Sequence, residues 1–175
     1  MKKKFLAFAA VAAFASATQA ATLSWGARQI TVDGSLLTGG TAYLFITEQS
    51  GDFGAPVTTV DAITALVEND GDYASLAAGN VGHVNNGMLT GATGYYANFG
   101  AGDSLSAFAV IFDADKSNYI VTSTQSTSWT SAVGAKTLQF GSLADATWKP
   151  VSVPEPGIAC MALLGIGMMI KRRRA

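Results

Sequence analysis

A serine and an aspartate in one short motif, together with the single histidine of the chain, are residue types that could support nucleophilic catalysis. Ser104 follows Asp103 in the tetrapeptide Gly102-Asp103-Ser104-Leu105, and His83 is the single histidine among the 175 residues. A serine becomes a nucleophile when a histidine base lies within hydrogen-bonding reach and a carboxylate orients that base. A serine hydrolase is therefore one function that the residue types allow.

The tetrapeptide resembles the signature of the GDSL esterases. In that family the serine is the nucleophile, and its histidine lies nearer the C-terminus in an Asp-x-x-His segment. Here His83 lies upstream of Ser104, no Asp-x-x-His exists, and the motif lies late in the chain. The sequence therefore favours a polar turn that leads into a strand, and a secreted GDSL-like hydrolase using Asp103 and Ser104 is the alternative.

A second group of residues has the spacing of metal ligands. Asp113, Asp115 and Ser117 alternate as the first ligands of a calcium-binding loop do. However, the sixth position is Asn118 instead of glycine, and the twelfth is Thr124 instead of glutamate. A hairpin loop with solvated carboxylates accounts for the same residues, and calcium at Asp113 and Asp115 is the minority hypothesis.

Other cofactors have less support in the sequence. Glu68, Asp70 and Asp72 around Gly71 predict a polar turn. Zinc sites usually draw on several histidines or cysteines, and the only cysteine, Cys160, lies in the apolar C-terminal segment. Phosphate-binding glycine motifs are also missing from the sequence. We therefore expect no cofactor.

Aromatic and hydroxyl residues leave carbohydrate binding open. The side chains that could stack on a sugar are Trp25, Trp129, Trp148, Tyr95 and Tyr96. Aromatic side chains more often fill a β core. Residues 122–131 contain eight serines or threonines, which predicts a solvated strand face and also permits O-linked sugars. A small carbohydrate-binding module is the second alternative function.

The N-terminus has the three parts of a secretory signal peptide. Lys2–Lys4 form a basic region, Phe5–Phe14 is apolar, and Thr18-Gln19-Ala20 places small residues before a cut at Ala21. Residues 1–20 therefore predict export through the Sec machinery and removal by signal peptidase.

The C-terminus has three parts as well. An extended motif at residues 153–156 precedes Gly157–Ile170, fourteen residues without a charge. As a helix this segment is about 21 Å long, which is short for a bilayer, although basic side chains at its end can snorkel to the interface. The positive-inside rule then places the body outside the cytoplasm. The motif residues are Pro154, Glu155 and Pro156, and the basic tail is Lys171, Arg172, Arg173 and Arg174.

This tail resembles the PEP-CTERM sorting signal of Gram-negative bacteria over residues 153–174. The resemblance implies a precursor anchored in the inner membrane and processing near the PEP motif by an exosortase, a membrane-embedded cysteine enzyme. It further implies export to the cell surface or extracellular matrix, where we expect the protein to be associated with exopolysaccharide. The leading hypothesis is thus a non-enzymatic exported protein.

The charge of the body bears on its partners. Between Ala21 and Pro150 the chain has four basic and eleven acidic residues, a net charge of about −7. Such a body repels a phosphate backbone, so nucleic acid is a poor partner. With 49% hydrophobic and 13% charged residues, the whole chain is also unlike a disordered one.

The elements that would position these residues are mainly strands. Thr41–Thr47 and Leu105–Phe112 are apolar runs that predict central strands buried on both faces, and Asn118–Thr124 predicts a strand that returns from the second run. Residues 59–67 and 72–79 predict a short helical insertion at one edge of the sheet, with Asp72 as N-cap and Gly79 as C′ residue. The expected fold is mainly β, a single domain over residues 21–152 that is either antiparallel and sandwich-like or mixed and mainly antiparallel. It is flanked by the signal peptide and one transmembrane helix, residues 157–170.

Overall fold

The computed structural model describes residues 21–51, 53–68, 71–91, 94–96, 101–130 and 134–151. These residues are mainly β, as the sequence predicted. The strands are β1 (Ala21–Arg28), β2 (Thr31–Val32), β3 (Ser35–Leu36), β4 (Gly40–Gln49), β5 (Val81–Asn85), β6 (Met88–Gly91), β7 (Gly94–Tyr96), β8 (Ser104–Phe112), β9 (Asn118–Val121), β10 (Gln125–Ser128), β11 (Gly134–Ser142) and β12 (Lys149–Pro150). The helices are α1 (Val60–Glu68) and α2 (Tyr73–Leu76).

The two apolar runs are the central strands β4 and β8. They pair antiparallel from Thr41 opposite Phe112 to Gln49 opposite Leu105, and the prediction that both strands are buried on both faces is confirmed. Leu44 contributes to one apolar cluster, whereas Phe45, the next residue, contributes to a second cluster on the opposite face. The alternation of strand side chains thus gives this sheet two apolar faces, and both require cover.

The arrangement of the strands corrects the expected sandwich and confirms the alternative of a mixed, mainly antiparallel sheet. The strands follow the order β11-β1-β6-β5-β4-β8-β9-β12, with β10 also paired to β8 and β7 to β1. The sheet is mixed, because β1 and β11 run parallel. It is strongly curled into a half-barrel, and Cα atoms of β10 and β11 approach within 8 Å. The concave face therefore encloses its apolar cluster by curvature, and no facing sheet is needed.

The helical insertion covers the other face, which corrects its expected place at an edge. Ile63 and Val67 of α1 are buried in the cluster that contains Phe45 and Phe108 of the central strands. The insertion connects β4 to β5, which are neighbours in the sheet, so the chain leaves β4, crosses its convex face and returns beside it. The helices thus shield the convex apolar face from water, as the curvature of the sheet shields the concave one.

The helix ends follow the sequence signals in part. The Asp72 side chain accepts a hydrogen bond from the Ser75 N–H at 3.1 Å, so its predicted N-cap role is confirmed. At the other end two residues, Ala78 and Gly79, have positive φ angles of 48° and 75°. The left-handed turn after α2 therefore begins one residue before the glycine.

A glycine pair makes room for Trp25 in the concave core. Gly82 and Gly91 are cross-strand partners in β5 and β6. A Cβ atom at Gly91 would lie 2.1 Å from Cε2 of Trp25, and one at Gly82 would lie 2.8 Å from its Cη2. The indole is 2% exposed and meets Phe140 edge to face at 6.5 Å between ring centroids. Because the two glycines have no side chain, they leave the space that the indole ring occupies.

We expect Gly91→Ala to lower the free energy of unfolding by about 2–3 kcal/mol, because the new methyl group overpacks the Trp25 site. Equilibrium urea unfolding of the purified protein measures the change. Thr90→Ala is the matched control, since Thr90 is the exposed neighbour on the same strand, and its effect should stay within about 0.5 kcal/mol. Equal stability of the two variants would contradict the requirement for glycine at position 91 beside the Trp25 ring.

Candidate functional site

The Gly102–Leu105 tetrapeptide is the turn that leads into β8, as the sequence favoured. Gly102 has a φ of 92°, and Ser104 is the first residue of the strand. The Ser104 N–H donates to the Ser50 hydroxyl at 2.7 Å, and that hydroxyl donates to Asp103 Oδ1 at 3.3 Å. Asp103 and Ser104 therefore join the start of β8 to the end of β4.

The structure does not bring His83 to Ser104. His83 pairs with Thr41 in the ladder between β5 and β4, whereas Leu105, beside Ser104, pairs with Gln49 in the ladder between β4 and β8. Thr41 and Gln49 are eight positions apart along β4, which corresponds to roughly 26 Å along an extended strand. A general base must lie within about 3 Å of the proton that it abstracts. His83 is thus not positioned to activate Ser104.

The Asp113–Ser117 loop joins β8 to β9, and its carboxylates bind donors of the loop itself. Asp113 is 7% exposed, and its side chain accepts hydrogen bonds from Asn118 N at 3.1 Å, Asn118 Nδ2 at 2.8 Å and Ser117 Oγ at 3.1 Å. Asp115 Oδ1 accepts from the hydroxyl and the N–H of Ser117 at 2.8 and 3.2 Å. These bonds hold the pKa of Asp115 below its ordinary value, with the Ser117 hydroxyl as the largest cause.

This arrangement favours a structural role for the two calcium candidates. The oxygens of Asp113 accept from the Asn118 N–H, which the turn would otherwise leave unpaired, and from the Ser117 and Asn118 side chains. Within the described ranges, no three histidine, cysteine, aspartate or glutamate residues gather as a metal site would require. In the second acidic cluster, Asp72 caps α2, and Asp70 lies outside the described residues.

The tryptophans differ in their availability to a ligand. Trp25 and Trp129 are 2% and 1% exposed, so they fill the concave core and offer no stacking face to a sugar. Trp148 is half-buried, and its indole N–H donates to the Thr31 carbonyl at 2.6 Å. The side chains of Tyr95 and Tyr96 lie outside the described part of the structure.

The hydroxyl-rich stretch is divided between core and surface. Ser126 and Ser128 of β10 are exposed, which fits the predicted solvated face, and the Ser126 hydroxyl lies 2.8 Å from that of Ser106 on β8. Thr122, by contrast, is 5% exposed, and its hydroxyl accepts from the Ala109 N–H at 2.9 Å. That contact lies between β9 and β10, where β8 changes partners, and the hydroxyl replaces a carbonyl that the ladder would otherwise supply.

An apolar groove of about 530 Å³ runs along the helical layer. Its hydroxyls are engaged locally: Thr58 donates to the Pro56 carbonyl at 3.3 Å, and Thr59 accepts from the Ala62 N–H at 3.2 Å. Few polar groups remain to orient a sugar or a metal. The groove is lined by Pro56, Val57, Thr58, Thr59, Ala62, Ala65, Leu66 and Leu76.

The C-terminal strand fixes the point from which the predicted sorting signal continues. β12 pairs with β9, Lys149 opposite Tyr119, and the Val151 N–H donates to the Ser117 carbonyl at 2.8 Å. Val151 is the last described residue, so the sorting motif (Pro154, Glu155, Pro156) and the basic tail (Lys171, Arg172, Arg173, Arg174) lie outside the described structure. Across the residues that are described, no helix has the length and apolar character to cross a membrane.

The chain matches no protein-family model, no curated protein and no solved structure. The assignment of the tail as a sorting signal therefore depends on its own residues.

We expect Asp113→Ala to lower the free energy of unfolding by about 2–3 kcal/mol, because three donors lose their acceptor in a nearly buried loop. Asp115→Ala is the control at an exposed position and should cost much less. Equilibrium urea unfolding of both variants provides the comparison.

Calcium provides the opposing test of the same loop. Because the loop's own donors already engage Asp113, added calcium chloride should leave the midpoint of thermal unfolding unchanged. A rise in that midpoint that disappears in Asp113→Ala would instead establish calcium binding at Asp113 and Asp115.

Proposed function

We propose that this chain is an exported, non-enzymatic protein of the cell surface or extracellular matrix, sorted through its PEP-CTERM-like tail. The observation that carries the proposal is the three-part tail, in which Pro154, Glu155 and Pro156 precede fourteen residues without a charge and then Lys171–Arg174. The predicted signal peptide, residues 1–20 with its cut before Ala21, supports export of the same chain.

Both cuts would leave the described sheet whole. Ala21 pairs with Gly134 of β11 on one side and with Tyr96 of β7 on the other, so a cut before Ala21 would leave both pairings of β1 in place. At the other end, the Val151 N–H donates to the Ser117 carbonyl, and Pro154 lies three residues farther along the chain. A processing enzyme acting near Pro154–Gly157 would therefore remove no part of the described body.

The position of the motif suits such an enzyme. Two prolines around Glu155 are unsuited to a helix interior and favour an extended backbone, the form in which an active site grips a chain. The segment follows β12, the two-residue strand at one end of the strand order. The apolar segment would anchor the precursor, and the basic tail would hold it in the cytoplasmic leaflet.

The role of the body is proposed from its charge and from the positions of the candidate site residues. Ser104 and His83 are held far apart on β8 and β5, and the described tryptophans are buried or half-buried, so neither alternative function gains an assembled site. An acidic domain without cysteine, stabilised by burial alone, suits a module that contacts polysaccharide, envelope or other copies of itself outside the cell. The link to exopolysaccharide depends on the resemblance of the tail.

Mass spectrometry of the protein recovered from culture medium and from membranes tests the proposal. We expect an N-terminus near Ala21 and, in the medium, a C-terminus near Pro154–Gly157. Glu155→Ala should keep the intact tail in the membrane fraction, because the charge in the recognised motif is lost. Asp145→Ala, which removes an exposed carboxylate ahead of the motif, is the matched control and should be processed normally.

An intact tail on all of the recovered protein would instead identify a permanently anchored single-span protein. An N-terminus that retains residues 1–20 would overturn export itself.

A further inference from the structure

The loops that surround the exit of the C-terminal strand share one end of the half-barrel, here called the exit end. Val151 is bonded to Ser117 in the Asp113–Ser117 loop. A Cβ atom on Gly39 would lie 3.6 Å from that of Ala114 in the same loop. The Gly87 N–H, in the turn between β5 and β6, donates to the Leu37 carbonyl at 2.8 Å. Together with the hydrogen bond from the Leu143 N–H to the Arg28 carbonyl at 2.9 Å, these contacts join residues 28–39, 86–88, 113–117 and 143–151 at the exit end.

The chain beyond Val151 is short before the apolar segment begins. Five residues, 152–156, separate Val151 from Gly157. Fully extended, the six Cα–Cα steps from Val151 to Gly157 span at most about 21 Å. If Gly157–Ile170 lies in the bilayer, the exit end is held within that distance of the membrane surface. β4 alone extends about 33 Å, so the opposite end can stand much farther away.

Charge is distributed unequally between the exit end and the rest of the body. Three of the four basic residues of the body lie at the exit end, and all three are exposed: Arg28, Lys116 and Lys149. They are matched by the exposed acids Asp33, Asp115 and Asp145, with Asp113 nearly buried. Elsewhere the described residues place the single cation Lys136 against Glu48, Asp61, Glu68, Asp72 and Asp103. Only the exit end is close to neutral, so it meets the least repulsion from anionic lipids.

The same end exposes large apolar side chains. Leu36 is 50% exposed and Met88 is 55% exposed. The Leu36 side chain reaches the Asn86–Gly87 turn, since its Cδ2 lies 2.6 Å from where a Cβ of Gly87 would be, and Met88 follows that turn directly. Apolar side chains beside lysine and arginine are the combination that lies stably at a membrane interface.

We propose that the exit end rests on the membrane surface in the anchored precursor, with Leu36 and Met88 at the level of the lipid headgroups and Lys116 and Lys149 on anionic phosphates. The inference depends on the proposed membrane anchoring of the tail. It adds an orientation: the exit end faces the bilayer. The opposite end, which contains the start of β8 and the strand β10, faces away from the bilayer.

Fluorescence quenching on the full chain tests this orientation. The chain has one cysteine, so Cys160→Ser provides a background for single labels at Met88→Cys and, as the matched control, at Ser128→Cys on the opposite end. The labelled chains are reconstituted into phosphatidylglycerol–phosphatidylethanolamine vesicles that contain a headgroup spin label. We expect several-fold stronger quenching at position 88 than at position 128. Thermal unfolding confirms that both labelled chains fold.

Two further results separate the inference from the proposed function. Failure of the chain to sediment with the vesicles would overturn the anchoring and the orientation together, whereas sedimentation with equal quenching at both positions would overturn the orientation alone. Within the Met88→Cys chain, Lys116→Glu together with Lys149→Glu should reduce the quenching, while Lys136→Glu should leave it unchanged. Equal effects of the two charge changes would remove the headgroup contact from the proposal.

Discussion

The burial of β4 and β8 on both faces is the constraint on which the rest of the fold depends. Adjacent residues such as Leu44 and Phe45 are fully buried on opposite sides, so neither face of these strands can meet water. An isolated flat sheet would leave both apolar faces exposed. Curvature closes the concave side, and the insertion between β4 and β5 covers the convex side. The curled sheet and its two short helices therefore both serve to bury the apolar faces of β4 and β8.

Local features of this arrangement could be predicted from the sequence because they depend on neighbouring residues. Two unbroken apolar runs indicated the central strands, and Asp72 indicated a helix start because its side chain caps a nearby N–H group. The Asp113–Ser117 loop was recognised as a turn for a similar reason, since its carboxylates bond to residues within five positions.

Long-range features could not be predicted in the same way. Alternation of side chains records which face is buried but does not record which strand lies alongside, so the parallel pairing of β1 with β11 left no signal. Ser104 and His83 show the same limit for a site, because their types suggested chemistry and only the strand register showed their separation. Thr122 was taken as part of a polar face, yet the change of partners along β8 made its hydroxyl a buried acceptor. Its signal, a threonine immediately after an apolar strand, is too common to interpret alone.

The pairing of the first long strand with the last one has a consequence for the order in which the domain is built. A chain that crosses a membrane from its N-terminus delivers β1 first and β11 more than a hundred residues later. Until residue 142 has crossed, one long side of β1 has no partner, and the concave core lacks Leu138 and Phe140. Such non-local pairing makes folding slow and leaves apolar surface exposed meanwhile. For a chain exported as proposed, completion of the domain thus waits for β11, and we expect the body to become protease-resistant only after residue 142 has crossed.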